Sequence, residues 1–114
     1  MPFIIDLATT EEIGAITGTV TGDGVIRDVL DGWRLIAVRG IAPHSGALAV
    51  TEALFGVGSS LARGRIICTS SVVMFDAHAA ILRTRSGSLY SLGGTATGPL
   101  PLPLAWAIAR HLLH

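Results

Sequence analysis

The stretch RIICTSSVVMFDAHAAILRTRSGSLYSLGG, Arg65 to Gly94, decides the fold. It sets two apolar runs rich in β-branched residues, Ile66 to Phe75 and Ala80 to Tyr90, on either side of the turn-forming Asp76-Ala77-His78, which predicts an antiparallel hairpin. Ser86-Gly87-Ser88 interrupts the second run. Glycine takes positive φ without steric cost and serines bond the neighbouring backbone, so this tripeptide predicts a tight turn or a bulge. Two or three adjacent strands follow, with Gly87 holding a register that sends Leu89 inward and Tyr90 outward.

Working outward toward the N-terminus, Trp33 to Arg39 alternates with Trp33, Leu35 and Ala37 on one side and Arg34, Ile36 and Val38 on the other. Apolar residues on both sides predict a central strand. Val25 to Leu30 reads as another strand ending at Asp31-Gly32, and Gly22-Asp23-Gly24 as the turn of a hairpin whose first arm is Ala15 to Thr21. Thr9 and Glu12 stand at capping-box spacing and would start a helical turn, but Gly14 and Gly18 argue against a long helix. Pro2 to Leu7 reads as an edge strand.

Between these strands and the opening stretch, Ala47, Val50, Leu54, Val57 and Leu61 recur at helical spacing. With Ser45 as N-cap, they predict a middle helix over Gly46 to Phe55, which Gly56 and Gly58 weaken beyond that point. After the opening stretch, residues 93–98 form a glycine-rich connector, and Pro99, Pro101 and Pro103 favour an extended segment. Pro103 then serves as a first-turn residue of a terminal helix, Leu104 to Leu113, with Leu104, Ile108 and Leu112 on one stripe.

At 114 residues the chain is one domain, 1–98 being the sheet-containing body and 99–114 the proline-rich segment and helix. Half of the residues are hydrophobic and 14% are charged, which excludes disorder and leaves little charge to cover the surface, so a partner is expected to cover some of it. All eight basic residues are arginine and the net charge is zero. That balance lacks the cationic surplus of a dedicated nucleic-acid binder. The single Cys68 makes no intrachain disulfide and fits a reducing, cytoplasmic setting. Neither a secretion signal nor a membrane span is expected, because Asp6, Glu11 and Glu12 interrupt the start and the apolar run near Leu100 to Ala109 is too short.

Catalytic and cofactor motifs are absent from the pattern. His44, His78, His111 and His114 have no metal-ligand spacing, Ser70 and Ser71 lack a nucleophile elbow, and Cys68 reads as a buried strand thiol. Gly22-Asp23-Gly24 and Gly56-Val57-Gly58 lack the remaining residues of nucleotide-binding loops. Arg83 and Arg85, at i and i+2, share a strand face. With Tyr90 and Trp33 they make a candidate binding face for phosphates and stacked bases, or for an acidic partner.

Thr69-Ser70-Ser71-Val72-Val73 followed by Thr84-Arg85-Ser86-Gly87-Ser88-Leu89-Tyr90-Ser91-Leu92-Gly93 resembles a β-module of small uncharacterised bacterial and phage-borne proteins. The resemblance covers about a quarter of the chain and implies a β-hairpin module with no assigned activity. The resulting expectation is an α+β domain: one antiparallel twisted sheet or half-open barrel of about five to six strands, packed by a middle helix and a C-terminal helix. The expected function is non-catalytic protein–protein interaction without a cofactor, as a homodimer or as an inhibitor or accessory protein of mobile-element origin acting by surface occlusion. The alternative is a barrel binding a small ligand or single-stranded nucleic acid through the arginine and aromatic face.

Overall fold

The computed structural model describes residues 3–21, 24–41 and 49–112. In chain order the elements are β1 (Phe3–Leu7), α1 (Thr10–Ile16), β2 (Ile26–Ile41), β3 (Ala49–Ser60), β4 (Arg65–Asp76), β5 (Ile81–Thr84), β6 (Leu89–Leu92) and α2 (Leu102–Leu112). The fold is α+β, with six strands in the order β1 to β6 and antiparallel neighbours throughout. A further parallel pairing of β2 with β6 partly closes the sheet into a ring without making a barrel.

Closure depends on the length of β2. A bulge between Asp31 and Arg34 divides it, so that Ile26 to Leu30 pairs with β6 while Ile36 to Gly40 pairs with β1. The opposite edge of β2 carries β3 along nearly its whole length. Asp31-Gly32 is therefore an irregularity inside one long strand and not the end of a separate one.

Alternation along β2 puts successive residues into two cores, because side chains of neighbouring strand residues point to opposite faces. Leu35 joins Leu30, Val72, Phe75, Leu82, Tyr90 and Leu92 inside the ring. Ile36 joins Val57 and Ile108 on the outer face, under α2. Burying Ile108 contributes roughly 1.5–3 kcal/mol to seating that helix. The two-sided pattern read from Trp33 to Arg39 is thus realised, and it makes β2 the shared wall of both cores.

The middle helix expected over Gly46 to Phe55 is corrected: from Ala49 onward this segment is β3. Residues 42–48, including the Ser45 cap, lie outside the described residues. Sheet pairing overrides the helical spacing, since Phe55 to Ser60 is held by β2 on one side and β4 on the other. Gly58 shows why a glycine stands in this strand. A Cβ there would sit 3.1 Å from Asp31 O and 3.2 Å from both Leu30 Cβ and Trp33 Cα, so the bulged part of β2 crosses directly over it.

The strand expected over Ala15 to Thr21 is also corrected. The capping box at Thr9 forms, with Glu12 N donating to Thr9 Oγ1 at 3.2 Å and Thr9 N donating to Glu12 Oε1 at 2.8 Å. It launches α1, which stops after seven residues at Ile16. Thr17 and Gly18 then run beside Phe75 of β4, with Gly18 N donating to Phe75 O at 2.9 Å. The expected turn at Gly22-Asp23 lies outside the described residues.

The opening stretch folds as its punctuation indicates. Asp76 closes the β4–β5 turn by accepting from Ala79 N at 2.9 Å. At the β5–β6 turn, Gly87 N donates to Thr84 O and Thr84 N donates to Ser88 O, both at 2.9 Å, with Gly87 at φ +89°. This is a three-residue hairpin loop whose last residue takes the left-handed conformation. The register is Ile81 opposite Ser91, Leu82 opposite Tyr90 and Arg83 opposite Leu89.

Candidate functional site

The four residues singled out in the sequence do not form one exposed face. Tyr90, expected outward, is 8% exposed and belongs to the ring core. Leu89 is buried as well, because Gly24 lies against its side chain and covers the second face of β6. A short strand buried on both faces has no outward side for Tyr90 to occupy. Trp33 is half-buried, with Nε1 donating to Gly93 O at 3.0 Å and its ring 5.6 Å from that of Phe75. Arg83 stays on the outer side of β5, but that strand ends at Thr84 and Arg85 falls in the β5–β6 turn, so the expected strand face shared by the two arginines is corrected. Arg83 donates to Thr21 O at 3.1 Å, and Arg85 is exposed at the hairpin tip.

The arginines nearest in character serve the fold. Arg34 donates to the carbonyls of Thr97, Gly98 and Pro99, at 3.0 to 3.2 Å, and so ties the connector to β2. Trp33 N donating to Gly94 O and Ala96 N donating to Trp33 O extend this seam. Arg39 grips Glu12 with two bonds, Nε to Oε2 at 2.9 Å and Nη2 to Oε1 at 2.6 Å, and also donates to Leu7 O. Thr51 donates its hydroxyl to Glu12 too, so one carboxylate joins α1, β2 and β3. The guanidinium hydrogen bonds hold Glu12 far below the usual carboxylate range, and the same pair raises Arg39.

Two further carboxylates are buried joints. Asp28 accepts from the Ser60 hydroxyl, from Ala62 N at 3.1 Å and from Val29 N at 2.7 Å. The Ser60 bond is the main reason its pKa is lowered. Asp76 accepts from Ala79 N and, at 3.0 Å, from Val20 N, and these backbone donors lower it likewise. Cys68 is half-buried, and burial pushes its thiol up to about 11. Ser70 Oγ lies 3.1 Å from Ser86 Oγ, which fastens the β5–β6 tip to β4. Among the described residues, no three of His, Cys, Asp and Glu converge as a metal site.

Among the described residues, a hollow of about 250 Å³ lies between α2 and the β3–β4 hairpin, lined by Arg63, Arg65, Cys68 and Leu104, and two other surfaces bear more directly on binding. The first joins β1 to α2, where Phe3, Ile5, Leu102, Ala105, Trp106 and Ala109 line a shallow apolar hollow of about 270 Å³. Phe3 is 51%, Leu102 70% and Trp106 66% exposed. The sequence held a signal for this that the Leu104–Ile108 stripe obscured: Leu102 and Trp106 form a second i, i+4 pair on another side of the helix. An α2 with two apolar sides seats one on the sheet and leaves the other open.

The second surface is a cleft of about 710 Å³ between α1, β3 and β4. It arises because β3 and β4 pair only from Phe55 and Ser71 toward their hairpin and diverge on the other side. Comparison of the chain with family models, with curated proteins and with solved structures gives no match.

Proposed function

We propose that this protein is a non-catalytic protein–protein interaction module that acts as a homodimer through β1 and α2. The observation that carries the reading is the continuous apolar surface of Phe3, Leu102 and Trp106. Large apolar side chains grouped on one surface, with few charges in the whole chain to solvate it, favour burial against a partner. A two-fold arrangement sets this patch against its own copy, so one surface supplies both halves of the interface.

The neighbouring strand edge suits the same purpose. Asp6 Oδ1 accepts from Leu7 N at 2.7 Å and Arg39 donates to Leu7 O at 2.9 Å, so the C-terminal end of β1 is blunted against uncontrolled pairing. Phe3 to Ile5 borders the apolar hollow. On this reading the protein works by occlusion, as an accessory or inhibitory protein that covers surface; the module from Thr69 to Gly93 is the basis for a mobile-element origin. The alternative of nucleic-acid binding has less support, because the inward Tyr90 leaves Arg83 and Arg85 without that stacking surface.

Light scattering tests the proposal. At high micromolar concentration the wild type should weigh twice the 11.8 kDa chain. Trp106→Arg should return the mass to one chain while the circular dichroism stays unchanged. A wild type that remains a single chain overturns the homodimer.

A further inference from the structure

The cleft between β3 and β4 is a separate feature, and its defining property is unpaired strand backbone. Ala49 to Leu54 of β3 faces β2 on one edge, and among the described residues no strand pairs with the other edge. On the β4 side, Val73 is skipped by the ladder with β5, in which Val72 faces Thr84 and Met74 faces Arg83. This bulged Val73 is 45% exposed and lines the cleft. The gap is bounded at both ends. Phe55 opposite Ser71 closes one, and Thr17 beside Phe75 closes the other. Ala15 and Ile16 of α1 give it an apolar wall.

Exposed strand edges recognise extended backbone, because their free N–H and C=O groups repeat with the spacing of a partner strand. Side chains around the gap add a polarity. Arg85, whose backbone N donates to Ser71 O at 2.8 Å, stands at the closed Phe55–Ser71 end. Glu11 lines the wall beside Glu12, which is bonded to Thr51 toward the other end, and Glu52 adds a further carboxylate to the lining next to Thr51. Neither Glu11 nor Arg85 has an ion-pair partner among the described residues. A strand laid antiparallel to β3 runs from the Arg85 end to the Glu11 end.

We infer that this cleft is a receiving site for an extended segment of a partner protein, about five residues long, that carries an acidic side chain followed by apolar residues and then a basic one. Five residues of strand span about 17 Å, which matches Val50 to Leu54 at about 3.4 Å per residue. Backbone pairing along β3 supplies the affinity, the apolar wall takes alternate side chains, and the cation at one end with the carboxylates toward the other fixes direction. The site lies apart from the β1–α2 surface and does not depend on self-association.

Fluorescence anisotropy with two fluorescein-labelled, end-blocked peptides tests the inference: glutamate-valine-threonine-valine-arginine and the same residues in reverse order. The first should bind saturably in the micromolar range and at least fivefold more tightly than the second. N-methylation of its central amide should weaken it tenfold or more. The double variant Glu11→Arg, Arg85→Glu should invert the preference between the peptides, since both side chains are exposed and their exchange leaves the fold intact. Val73→Arg should abolish binding while the light-scattering mass stays that of the wild type. No saturation up to millimolar peptide overturns the inference, as does equal affinity for both orders. Loss of self-association in Val73→Arg also overturns it, by assigning the cleft to a second copy of the chain.

Discussion

Replacing Gly87 by valine isolates the conformation of the β5–β6 turn from its packing. Gly87 has φ +89°, and a Cβ built on it meets nothing within 4 Å, so a side chain there starts into open space. What remains is the backbone cost of holding a β-branched residue in the left-handed region, about 1 to 3 kcal/mol. For a domain of this size each kcal/mol lowers the melting temperature by about 4 °C, so the expected loss is roughly 4 to 12 °C. Relief of the strain by slipping β6 one residue along β5 would pull Tyr90 and Leu92 out of the ring core, which makes the slip the costlier response. Asparagine, which tolerates positive φ better, should lose less than valine. Gly94→Val is the control: Gly94 lies outside the positive-φ region and its Cβ meets only Asp31 Oδ1, at an ordinary 3.4 Å. Paired thermal and urea melts read the difference. A Gly87→Val protein as stable as Gly94→Val would refute the left-handed turn and with it the role of this tripeptide in setting the register.

Gly58→Ala should destabilise by about 1 to 3 kcal/mol in a urea melt, because backbone atoms of Asp31 and Trp33 crowd the new methyl group and cannot rotate away. Gly14→Ala, with open space around it in α1, should instead stabilise by up to about 1 kcal/mol in the same assay. The Glu12 carboxyl is depressed by Arg39, so its contribution is complete above the unfolded value of about 4.3 and is lost as pH falls from there toward the folded value. Glu12→Gln should therefore flatten the acid limb of a stability profile below about pH 4.3 while lowering stability at neutral pH. With its thiol near 11, Cys68 should react with iodoacetamide at pH 8 about two orders of magnitude more slowly than an ordinary cysteine, and unfolding in urea should restore the ordinary rate.

Local chemistry made much of the sheet legible. Asp76 and Gly87 mark their turns because each does something few residues do: one carboxylate accepts backbone donors across a turn, and one residue takes φ +89°. Alternation at Leu35 and Ile36 reports a strand with a core on each face. The middle helix misled because Val50, Leu54, Val57 and Leu61 fit a helical stripe while Val50, Thr51, Phe55 and Val57 equally suit a strand, and only long-range pairing with β2 and β4 decides between them. Tyr90 was misplaced because alternation assumes one open face, whereas the segment at Gly24, remote in sequence, covers Leu89 on the other. The β3–β4 cleft had no local signature at all. It exists because two strands part after Phe55 and Ser71, a fact of register. Trp106 and Leu102 were visible in the sequence, and their i, i+4 spacing opposite the Leu104–Ile108 stripe was the mark of a helix that is apolar on two sides.

Hydrogen exchange read residue by residue at two protein concentrations tests self-association and its location together. If β1 and α2 form the dimer surface, amides of Phe3 to Ile5 and of the helix around Trp106 should gain protection between low and high micromolar protein, while Val50 to Leu54 on the cleft edge of β3 stays unchanged. Protection at β1 and α2 that does not vary with concentration, or that rises along β3 instead, would contradict a homodimer built on that surface.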